Sequence, residues 1–96
     1  MFIIELTYTQ PLALVDQFVA EHRLFLERHY ASGQFLLSGR KEPRTGGFIL
    51  ANVASRAELD AILLEDPFQR EGIAQYTVTE FLPSMAAPAL AGLLGN

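Results

Sequence analysis

Cysteine is absent from this chain, which removes a disulfide framework, a thiolate nucleophile and any cysteine-based metal site. A basic surplus is missing too. Seven Lys and Arg against 11 Asp and Glu give a formal net charge of −4, the opposite of what a protein tracking nucleic-acid phosphates gathers on one face. No nucleic-acid partner is expected. Long apolar runs are also scarce. The N-terminal MFIIELTYTQ has no basic flank and its apolar residues stop at Glu5, so it reads as neither a signal peptide nor a spanning segment. The longest apolar-rich stretch, Met85 to Leu94, is about half the length needed to cross a bilayer. A cytoplasmic protein with no membrane partner is expected. No Walker or dinucleotide glycine spacing occurs, and no histidines stand at i, i+3 or i, i+4 on a helix, so we expect neither cofactor nor metal.

What is present suits one compact domain: 96 residues, half of them apolar, can bury one modest core and leave no room for a second. The dominant stretch is Pro11 to Ser32. Stepping from Val15 through Phe18, Val19, His22, Phe25, Leu26 and His29 traces the apolar stripe of an amphipathic helix. Pro11 suits its first turn, with Thr9 or Gln10 near the cap, and Gly33 its left-handed end. His22 therefore points toward the core, where its neighbours Val, Phe and Leu give neither ring nitrogen a partner. It is either a packed core histidine bonded to a backbone carbonyl or a functional group. His29, about 10.5 Å further along the axis, is too distant to share a metal with it and suits a last-turn residue favoured by the helix dipole.

Alternation marks Phe2 to Tyr8 as a strand. Gln34 to Gly39 and Phe48 to Val53 read as two more, joined by the polar loop Arg40 to Gly47. Ser55 and Glu58 form a capping box for a short helix carrying Leu59, Ile62 and Leu63. Asp66-Pro67 restarts a helical turn closed by Gly72, and Ile73 to Phe81 is the fourth strand. The order β-α-β-β-α-β folds as a ferredoxin-like α+β domain, a four-stranded antiparallel sheet with its helices on one face. The other face is left bare, so a homodimer packed sheet to sheet is expected.

Asp66 is complete as an N-cap, yet its carboxylate could also orient an imidazole and stabilise its charged form. In the loop, Lys41 and Glu42 suit a solvated hairpin, whereas Arg40 and Arg44 could bind a carboxylate or phenolate of a small ligand.

The stretches AEHRLFLERHYASGQFLLSGRKEPRTGGFILA and LLEDPFQREGIAQYTVTEF resemble the YCII-related (YciI-like) family over residues 1–83. The resemblance is carried by a helix histidine, a small-residue-Gly step after the second strand and an Asp-Pro-Phe. It implies a ferredoxin-like fold, a dimeric α/β-barrel-like assembly and a His–Asp pair in a cleft, here His22 and Asp66. One activity it implies is dehydrochlorination of a chlorinated hydroxyhydroquinone. The chain departs from the family pattern by placing Arg40 where Pro is commonest, which bears on the substrate more than on the fold.

Three readings follow. The first is a cofactor-independent, lyase-like enzyme in which His22 is a general base on a small aromatic or enolisable substrate, Asp66 fixes its tautomer, and Ser38, Gly39, Arg40 and Arg44 bind substrate. The second is a non-catalytic or regulatory dimer holding a small molecule in the same cleft. The third is a structural module. Residues 84–96 form an apolar tail, expected to make a helical turn after Pro88 and to dock its leucines on its own domain or the partner subunit, capping the cleft mouth.

Overall fold

In the computed structural model, which describes residues 1–94, the apolar alternation of strand β1 (Phe2–Tyr8) sends Phe2, Ile4 and Leu6 into the core. Seven elements follow it: α1 (Leu12–Ala31), β2 (Phe35–Arg40), β3 (Gly46–Ala51), α2 (Arg56–Leu63), the single turn α3 (Pro67–Arg70), β4 (Ala74–Glu80) and a 3-10 helix (Pro88–Leu93). The strands lie in the order β2-β3-β1-β4. β1 is antiparallel to both neighbours, with Ile4 opposite Ile49 on one side and Val78 on the other. The helices cover one face, and the ferredoxin-like expectation holds. No helix among the described residues is long and apolar enough to cross a membrane.

The stripe of α1 packs on that covered face. Val15, Phe25 and His29 are buried, and Phe18, Val19 and Leu26 lie against the core. α2 adds Leu59, Ile62 and Leu63, each fully buried apolar side chain stabilising by about 1.5–3 kcal/mol. Ser55 Oγ accepts from the Glu58 amide at 3.1 Å, as the cap motif requires. The start of α1 differs from expectation. Pro11 is extended (ψ 149) and stands outside the helix without a side-chain cap; its carbonyl accepts from Leu14 and Val15 instead. Thr9 is diverted, its hydroxyl donating to the Gly72 carbonyl at 3.0 Å. At the other end Gly33 has φ 79, the left-handed turn expected of it.

Strand pairing also reaches further into the polar loop than the apolar pattern indicates. Arg40 pairs with Gly47 and Thr7 with Gly46, shortening the loop to residues 41–45. Close backbone approach requires these glycines: a Cβ on Gly46 would lie 1.8 Å from the Leu6 carbonyl oxygen, and one on Gly47 2.7 Å from that of Gly39. A pattern search follows side chains, and glycine offers none.

On the bare face, Leu37 is 60% and Phe48 43% exposed, with Ile3 beside them. Register sets Leu37 and Ile3 across from Leu50, so the apolar layer is continuous over β2, β3 and β1. The tail departs from one expectation, the cap on the cleft mouth. Its turn after Pro88 forms, but Met85 is 88% and Leu90 53% exposed and none of the 3-10 helix is buried. Leu93 and Leu94 are half-buried, and no tail residue among the described residues lines the cleft. Its last two residues, 95–96, lie outside the described residues.

Candidate functional site

α3 exists to one turn only, and its geometry sets the site. Asp66 precedes Pro67, whose fixed φ suits a first helical residue, and Asp66 Oδ1 accepts the Phe68 amide at 3.0 Å. Gly72, with φ 65, ends the turn. Arg70 ties it to α1 through Glu21 at 2.6 Å. Asp66 is thus held beside a helix that is distant in the chain.

His22 meets it there. His22 Nδ1 lies 2.8 Å from Asp66 Oδ1 across 44 positions of sequence. The carboxylate is fully buried, and a buried carboxylate costs several kcal/mol unless donors surround it. Three do. His22 and the Phe68 amide share Oδ1, and the Tyr76 hydroxyl donates to Oδ2. Since Asp66 accepts, neutral His22 carries its hydrogen on Nδ1 and its lone pair on Nε2. The ring is fixed in plane as well as in edge: it stacks on Phe68 with centroids 4.0 Å apart and planes 5° from parallel. Phe68 is in turn braced edge-on by Tyr8 at 6.0 Å.

Tyr76 was not singled out from the sequence. Its pKa is driven well above the ordinary phenol range, first by burial, then by the Asp66 charge and by the hydrogen bond to it. It keeps its proton and remains the donor. The signal was available in the alternation of β4, which sets Tyr76 opposite Leu6 on the inner face, where a hydroxyl needs a partner.

His22 and Phe68 line a pocket of about 260 Å3 between α1 and the β2-β3 end of the sheet. Ser38, Gly39, Arg40 and Arg44 line it too, so the structure brings the expected ligand-binding residues to the histidine. Asp66 stands behind His22 and not in the wall. The expected residues are, however, already engaged: Ser38 Oγ bonds the Tyr30 hydroxyl, Arg40 pairs with Glu42 at 3.1 Å, and Arg44 pairs with Asp16 at 2.6 Å. The Asp16 hydrogen bond raises the Arg44 pKa further above its ordinary value. Arg23, also in the wall, was missed because a helix-surface arginine has no distinguishing pattern.

His29 contrasts with His22. It is buried in the last turn of α1, with Nδ1 3.2 Å from Gln34 Oε1 and Nε2 3.1 Å from Glu65 Oε1. Both nitrogens are occupied, and the residue staples the helix end.

Residues 1–82 match the YCII-related domain. The chain belongs to the YCII-related family. This YCII-related protein is similar in structure to the 5-chloro-2-hydroxyhydroquinone dehydrochlorinase from Burkholderia phenoliruptrix AC1100 in complex with 2,5-dihydroxybenzoquinone, with TM-score 0.71 and 20% identity. The alignment covers 84% of this chain and 93% of that one. At that identity the likeness is one of fold. No curated protein sequence matches the YCII-related chain.

The Tyr76 environment makes a pH prediction. Because the folded state holds this proton more tightly than the unfolded chain, its contribution to stability is complete below about pH 10 and declines as pH rises above that value. Urea denaturation of the wild type above about pH 10 should show stability falling more steeply, by up to about 1.4 kcal/mol per pH unit, than in Tyr76→Phe. Equal alkaline slopes would show that the hydroxyl is not held by Asp66.

Proposed function

We propose that this YCII-related protein is a small, cofactor-independent enzyme of lyase type in which His22 is the general base. The observation carrying this reading is the Nδ1 hydrogen bond to Asp66, 2.8 Å long, in a residue that also lines a pocket. With Nδ1 committed, the Nε2 lone pair is the one left for a proton. Asp66 fixes the tautomer and stabilises the imidazolium that forms, while Phe68 holds the ring plane. In an elimination, Nε2 takes a proton from a hydroxyl or acidic C–H of the substrate. The freed electron pair enters the substrate, and the leaving group departs with its bonding pair. The imidazolium then returns its proton to solvent.

The substrate class proposed is a small, chlorinated and hydroxylated ring or an enolisable analogue, with chloride leaving. The family and the fold shared with a dehydrochlorinase support it. Ser38, Gly39, Arg40 and Arg44 contribute to the wall that receives the substrate oxygens. Chloride release from a chlorinated hydroxyhydroquinone tests the reading: His22→Gln should lose about 10²–10⁴-fold in kcat while still binding 2,5-dihydroxybenzoquinone. Full activity in that variant would exclude His22 as the base. No chloride release from the wild type, with the quinone bound at the pocket, would favour a ligand-binding dimer.

The bare face completes the proposal. Leu37, Phe48 and Ile3 form an exposed apolar layer, and a contiguous apolar layer of this kind supports an interface reading. A second copy packed sheet to sheet covers it, with the apolar tail docking across the interface. Sedimentation should give a dimer at micromolar concentration, and Leu37→Glu should shift it to monomer. A wild type sedimenting at 10.6 kDa would rule the interface out.

A further inference from the structure

The charged side chains in the wall of the His22 pocket are of one sign. Arg23, Arg40 and Arg44 line it and no Asp or Glu does, although the chain carries a net charge of −4. These three cations are not equivalent. Arg40 is paired with Glu42 and Arg44 with Asp16. The same is true elsewhere: Arg28 pairs with Glu65, Lys41 with Glu5, Arg56 with Asp60 and Arg70 with Glu21. Of the seven Lys and Arg residues, Arg23 makes no ion pair or side-chain hydrogen bond among the described residues.

Its position is informative. Arg23 follows His22 on α1 and shares the pocket wall with Val19 and Leu26, so its stem borders apolar surface while its head is free for a ligand. A guanidinium presents a planar fork that matches a carboxylate or phenolate oxygen pair, and a charge-assisted bond of that kind is about twice as strong as a neutral one. At about 260 Å3 the pocket is at the small end for a ligand site. Tyr8, half-buried in the same wall, offers its aromatic side chain to one flat ring.

We infer that Arg23 is the anion anchor of this pocket and that its ligands are small, single-ring oxyanions, with neutral rings of the same shape discriminated against. The inference rests on the proposed function only in sharing its pocket. The anchor selects and orients the ring by its negative edge, and the remaining ring edge is presented to His22. Arg40 and Arg44 add to the positive field but stay on their own carboxylates. Arg23 is a specificity-determining residue and takes no proton.

Calorimetric titration of the full chain with a hydroxybenzoate and with the matching hydroxybenzamide, nearly equal in shape and different in charge, tests it. The wild type should bind the benzoate at least about tenfold more tightly, and added salt should narrow the gap. Arg23→Gln should erase the preference, and Arg23→Lys should keep part of it. Arg28→Gln, which removes the same charge away from the pocket, should leave it intact. The titration reads binding and not turnover, so the anchor stands even where the base fails. Equal binding of the two ligands by the wild type, no binding of either, a preference surviving in Arg23→Gln, or an equal loss in Arg28→Gln would each overturn the inference.

Discussion

A buried carboxylate needs donors, and in this fold the donors of Asp66 come from three different elements. His22 belongs to α1, the Phe68 amide to α3 and the Tyr76 hydroxyl to β4. Satisfying one charge therefore joins the helix layer to the sheet at the place where the pocket opens. The stacking of His22 on Phe68 follows from the same constraint, since both bond to Asp66 Oδ1 and are brought side by side. No buried side-chain polar atom among the described residues is left without a partner. The arrangement is fully satisfied, which is the condition under which a polar cluster in a core fixes a unique geometry instead of weakening it.

Two histidines seven residues apart on one helix face show how the fold separates structure from chemistry. Gln34 and Glu65 occupy both ring nitrogens of His29, which leaves that ring nothing to offer a ligand. One nitrogen of His22 is occupied, and the ring borders a pocket whose charged lining is entirely cationic. The local sequence around the two residues is similar. What distinguishes them is the partner set supplied from distant parts of the chain.

That distinction marks the limit of what the sequence could reveal. The apolar stripe of α1, the alternation of β1 and the Asp-Pro start of α3 are local patterns, and they identified the order of elements along the chain, His22 as a residue short of partners, and Asp66 as a cap with a second role. Tyr76 depended on the register of β4 against β1, which alternation supports but does not number. The engagement of Arg44 with Asp16 depended on the loop folding back over the start of α1, where 28 positions separate the partners. Residues in the loop therefore read as free ligand-binding groups when they were already paired, while Arg23, the unpaired one, was passed over. The tail shows a further limit. Apolar content argued for a cap on the cleft mouth, but no tail residue among the described residues lines the pocket, and composition carries no information on where a segment can reach.

The central claim is that Asp66 commits Nδ1 of His22 and leaves Nε2 as the basic nitrogen. Nitrogen NMR of the histidine rings, assigned through His22→Gln and recorded above the pH at which the ring is neutral, reads this directly. The account predicts that His22 is in the Nδ1–H tautomer with an unprotonated Nε2, and that Asp66→Asn changes that tautomer balance. A neutral His22 carrying its hydrogen on Nε2 in the wild type would contradict the account, because the nitrogen facing substrate would then have no lone pair to accept a proton.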